Sequence, residues 1–74
     1  MKKLATYLRI GNIEIAVGKE ETQGEITRKA DEIGIVRNED GTIDVFIVYS
    51  YVGRESETVH LTYSGEYLVF WRGM

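Results

Sequence analysis

Hydrophobic and polar positions alternate along most of this chain, and glycines punctuate the alternation. Leu4 to Val17 holds two alternating runs around Gly11-Asn12, a pair suited to a two-residue hairpin because Gly accepts the positive φ of such turns. Pairing across it sets Ile10 opposite Ile13, Leu8 opposite Ile15 and Arg9 opposite Glu14. Thr6, Leu8, Ile10, Ile13, Ile15 and Val17 then share one face. The pattern changes after Gly18. Thr22 and Glu25 form a capping-box spacing, and Ile26, Ala30 and Ile33 follow at i, i+4 and i+7, a helical stripe. Glu25 and Lys29 make an i,i+4 pair, and Gly34 suits a helix C-terminus. The spacing predicts a helix over 23–33.

Alternation then returns. Residues 35–37 read as a short strand and 38–41 as a turn. Thr42 to Val52 is the strongest strand signal, rich in β-branched and aromatic residues. It places Ile43, Val45, Ile47, Tyr49 and Tyr51 on one face, with Phe46 and Val48 among the residues on the other. Both faces are apolar in the middle, the mark of a central strand covered on two sides. Residues 53–58 read as a polar loop, and 59–64 and 67–72 as the last two strands of a meander, turning at Ser64-Gly65-Glu66. The expected fold is α+β: a mostly antiparallel sheet in ββα order, then a short strand and three-strand meander, with one helix on one face. A partly closed barrel is the alternative.

The length of 74 residues fits one domain. A single core at this size supplies only about 3–5 kcal/mol, so good packing or self-association is the expected supplement. Cysteine is absent, which removes disulfides and thiolate metal sites, and His60 is the single histidine. No cofactor or metal is expected. No apolar run reaches the roughly 18 residues that span a bilayer, and the start has no signal-peptide core, so a cytoplasmic location is expected. A net charge of −3 with scattered basic residues argues against a phosphate-binding surface.

Chemistry is thinly signalled. The one imidazole lies in mid-strand, no nucleophile-elbow motif occurs, and no glycine spacing matches a phosphate loop. The acidic pairs Glu20-Glu21, Glu39-Asp40 and Glu55/Glu57 sit where solvent reaches them, whereas acid catalysis wants one carboxyl buried. Enzymatic activity is therefore not expected. The aromatic residues are more informative. One short helix covers one face of a sheet, which leaves Tyr67, Val69, Trp71 and His60, with Phe46 beside them, partly bare. Such a patch marks either barrel closure or a partner surface. The reading is a non-enzymatic protein-binding domain, a regulator or inhibitor acting by surface occlusion, with a protein partner and a homodimer expected. Its size and element order are in the style of small phage and plasmid accessory proteins, an analogy with no motif behind it. The alternative is a single-strand nucleic-acid-binding sheet, with Tyr67 and Trp71 stacking bases and Arg72, Arg54, Lys2 and Lys3 on phosphates.

Overall fold

A computed structural model describes residues 2–73 and, within them, every side chain except those of Leu68 and Val69. Seven strands follow one another: β1 (Lys3–Ile10), β2 (Ile13–Ala16), β3 (Glu20–Gln23), β4 (Ile26–Arg37), β5 (Thr42–Tyr51), β6 (Arg54–Ser64) and β7 (Leu68–Gly73). Among the described residues the one helical element is a single 3-10 turn, Gly65–Tyr67. The protein is thus a nearly all-β sheet, and the expected α+β fold with a packed helix is overturned.

The 23–33 segment shows why. Gln23 pairs with Ile26, so Gly24-Glu25 is a two-residue hairpin turn with Gly24 at φ 62°. It repeats the Gly-first turn at Gly11, where φ is 58°. Beyond it, the β4–β5 register slips between Ala30 and Glu32, which makes Asp31 the extra residue of a β-bulge. Ala30 and Ile33 both reach the core, at 2% and 0% exposure, although they are three residues apart. A four-residue strand spacing followed by a bulged three-residue spacing imitates one helical stripe. Thr22 caps no helix; its Oγ1 lies 3.0 Å from that of Thr27 across the hairpin.

The sheet order is β2-β1-β4-β5-β6, with β3 on β4 and β7 on β1. The first hairpin has the expected register, Leu8 against Ile15 and Ile10 against Ile13. The final meander does not form as expected, because β7 pairs with β1 and not with β6. The 3-10 turn carries the chain across the sheet. The Gly65 N–H donates to the Gly41 carbonyl at 2.8 Å and the Gly11 N–H to the Tyr67 carbonyl at 2.9 Å. Any Cβ at Gly65 would lie 2.7 Å from the Gly41 oxygen, so only glycine permits this approach.

β5 is the central strand. Ile43, Val45, Ile47 and Tyr49 are buried, while Asp44, Phe46, Val48 and Ser50 on the other side are only half-buried, so the expected cover on two sides is reduced to one among the described residues. The expected short strand at 35–37 is the end of β4, and the expected loop at 53–58 is mostly the start of β6. The sheet curls until β1 and β2 face β5 and β6. Leu8, Ile10 and Ile15 from the first pair and Val45, Ile47 and Leu61 from the second line one cavity of about 250 Å³. Among the described residues no helix is long and apolar enough to cross a membrane.

Candidate functional site

The curled body leaves one end of the sheet uncovered. Past Tyr49, strands β3 to β6 continue as an arm made of the β3–β4 hairpin, the end of β5 and the start of β6. Register lines up one row across all four strands: Glu21 opposite Arg28, Arg28 opposite Tyr51, and Tyr51 opposite Arg54. The row lies on the side that carries the core farther along, where Ile43, Val45, Ile47 and Tyr49 alternate. Glu21 and Arg28 also border the body cavity beside Ile13 and Ile15, and beyond them a cleft of about 530 Å³ opens over Glu21, Gln23, Ile26, Arg28, Tyr51 and Arg54.

Each arginine of the row is held against an aromatic ring. The Arg28 guanidinium carbon sits 4.0 Å from the Tyr49 ring centre, and that of Arg54 sits 5.2 Å from the Tyr51 ring centre. Such stacking favours the cation electrostatically and leaves its N–H groups free to point sideways. Arg28 also approaches Glu21, with Nε 3.9 Å from the carboxylate. The Tyr51 hydroxyl donates to Glu57 Oε2 at 3.0 Å, which fixes the ring beneath Arg54. Burial raises the Tyr49 phenol above its usual pKa, so the ring stays neutral under the cation. Apolar surface adjoins the cleft: Ile26 is 45% exposed, and Val52 in the β5–β6 turn is 72% exposed.

Of the five residues singled out in the sequence, Phe46 and His60 are brought together, and Trp71 and Tyr67 stand apart from them. Phe46 and His60 are cross-strand partners on the outward side of the sheet, with rings stacked at 4.4 Å and 9°. Nε2 of His60 lies 3.0 Å from Asp44 Oδ1, which also accepts the Thr62 hydroxyl at 2.7 Å, and Asp44 Oδ2 accepts the Asn38 amide at 3.0 Å. These donors hold the Asp44 carboxyl at about 2, well below its ordinary value. The cluster ties β5 to β6 through satisfied polar groups. Trp71 stands opposite Leu8 on β7 and packs partly buried against the core. Tyr67 is exposed on the 3-10 turn, and the Val69 side chain lies outside the described residues. The expected common face rested on a β6–β7 hairpin, so it dissolves with that hairpin.

Sequence reasoning missed the row of Glu21, Arg28, Tyr51 and Arg54. Its signal was present in Gly24-Glu25 and Val52-Gly53, two turns whose combined registers align the four residues. Among the described residues no group of three or more side chains is arranged to hold a metal ion. No family model matches the chain, and no curated protein or solved structure matches it either.

Proposed function

We propose that this protein is a non-enzymatic protein-binding domain that engages its partner through the cleft of the arm. The observation that carries the reading is the pair of tyrosine-stacked arginines beside exposed Ile26. Arg and Tyr concentrate binding energy at protein interfaces, and an apolar neighbour excludes water from them. Stacking pre-orders the long arginine side chains, which lowers the entropy lost on binding. The fitting partner presents a carboxylate to Arg54 next to an apolar side chain for Ile26. Glu20, Glu21, Glu55 and Glu57 on the same strands disfavour a nucleic-acid phosphate backbone at this place.

The test is affinity capture with three baits: the wild-type chain, Arg54→Ala and Ile26→Asp. A protein held by the first and lost by both variants supports the reading, with Arg54→Ala weakening the purified complex by about 2 kcal/mol or more. Retention of every captured protein by both variants overturns it. A salt-dependent shift of a labelled single-stranded oligonucleotide, lost in Arg54→Ala, would transfer the site to nucleic acid.

A further inference from the structure

The longest exposed sheet edge belongs to β6. Among the described residues its eleven residues pair with β5 alone, and none of them makes a backbone hydrogen bond to a turn or loop. Free edges invite another strand, and proteins usually blunt them by shortness, bulges, proline or charge. The other edges carry such devices. β2 and β3 have four residues each, and the β7 register is broken at two places. The β6 register runs unbroken from Ser64 to Glu57. Its charged residues, Arg54, Glu55 and Glu57, all lie at one end, which leaves Thr58–Ser64 with no proline, lysine, arginine, aspartate or glutamate.

We infer that this protein forms a two-fold symmetric dimer by antiparallel pairing of Thr58–Ser64 with the same segment of a second copy, centred on Leu61. The segment is self-complementary. A two-fold axis normal to the sheet keeps the core sides together, so Leu61 meets the second copy's Leu61 and Val59 meets its Tyr63. All three are incompletely buried in the single chain, with Leu61 at 37% exposure. On the outward side His60 meets Thr62, and Thr58 meets Ser64. The acidic residues set the register. Centring on Ser56 would oppose Glu55 to Glu57, and centring on Glu57 would oppose that residue to itself. Centring on Thr58, Val59 or His60 would set Glu57 against Val59, Leu61 or Tyr63 of the apolar row. Centring on Leu61 uses all seven uncharged positions and leaves Glu57 beyond them. The pairing is isologous and closes on itself, so it yields a dimer and not a fibre. The arm cleft stays outside the paired segment, so this inference and the proposed binding function stand or fall separately.

The chain has no cysteine, which makes single-cysteine cross-linking direct. Directly opposed residues of an antiparallel pair have Cα atoms about 4.5–5.5 Å apart, inside the range a disulfide spans. Leu61→Cys should form a disulfide dimer under mild oxidation at micromolar concentration. Val59→Cys alone should not, but Val59→Cys mixed with Tyr63→Cys should. Val52→Cys, exposed on the arm, reports random collision. Sedimentation equilibrium of the wild-type chain should show a dimer, and Leu61→Lys, which would oppose two like charges, should weaken it at least about tenfold. A wild-type chain that sediments as a monomer at hundreds of micromolar overturns the inference. So does cross-linking of Leu61→Cys no faster than that of Val52→Cys, or a wild-type dimer that Leu61→Lys leaves intact.

Discussion

Body and arm are parts of one sheet, yet different forces hold them. In the body, Leu8, Ile33, Ile43, Val45 and Ile47 are all under 2% exposed, and burial of apolar surface supplies the stability. In the arm, β3 has four exposed residues in a row, and cross-strand contacts such as Arg28 on Tyr49 and Thr22 beside Thr27 do the holding. Such pairs contribute roughly 0.2–1 kcal/mol each. A region held this weakly opens more readily than a packed core, and it keeps its charged and aromatic groups within reach of a partner.

The sharpest break in this comparison comes from matched isoleucine truncations. Ile33→Ala and Ile47→Ala should each cost about 2–5 kcal/mol in a urea melt, because the surrounding core cannot collapse fully into the space. Ile26→Ala, on the same strand as Ile33 but half-exposed, should change stability by no more than about 0.5 kcal/mol. Equal losses at Ile26 and Ile33 would mean that the arm has a core of its own.

The body was the legible part of the chain. Alternation over Thr42 to Val52 identified the central strand, though not that only one of its faces is buried, and Gly11-Asn12 gave the register of the first hairpin, because both are local patterns with period two. The arm was illegible because two local signals pointed the wrong way. The bulge at Asp31 breaks the alternation, and Thr22 with Glu25 mimics a cap. The pairing of β7 with β1 was hidden for a different reason: it joins residues about sixty positions apart, and no turn motif encodes it. The candidate site fell with the misread arm, since the tyrosine-stacked arginines exist only once β3, β4, β5 and β6 are aligned.

A smaller effect is expected at the arm's turn. Gly24 holds φ 62°, a conformation that costs a residue with a Cβ about 1–2 kcal/mol. Nothing lies within 4 Å of a Cβ built there, so the cost is backbone strain alone. Gly24→Ala should speed amide exchange in β3 and the first residues of β4 and leave exchange in β5 near Val45 unchanged. Faster exchange throughout the sheet would show that arm and body unfold as one unit.

Acid should act on the body through Asp44. Asp44 is held at about 2 by Thr62, Asn38 and His60, below its ordinary 3.8. Because the folded value is depressed, its contribution to stability is present above about pH 4 and lost as pH falls toward 2. Asp40, lowered by its hydrogen bonds from Thr42, works in the same direction. In Asp44→Asn the fall of stability between pH 4 and pH 2 should be shallower than in the wild-type chain. An unchanged slope would assign the acid sensitivity to other carboxylates.

The smallest expected change in stability is at Arg54, and it separates folding from binding most cleanly. Arg54 is exposed, stands at the start of β6 and has its guanidinium carbon 5.2 Å from the Tyr51 ring centre. An exposed cation on a ring contributes about 0.5–1 kcal/mol at most. The Tyr51 hydroxyl keeps its bond to Glu57 whatever residue stands at 54, so the ring below should not move. Arg54→Ala should therefore melt within about 1 kcal/mol of the wild-type chain while its complex with a captured partner weakens by about 2 kcal/mol or more. Arg54→Lys restores the charge without the planar face that stacks on Tyr51. If stacking pre-orders the contact, lysine should recover only part of the affinity; full recovery would reduce the site to a point charge. A melt lowered as much as the affinity would place Arg54 among the groups that hold the arm together and remove it from the binding surface.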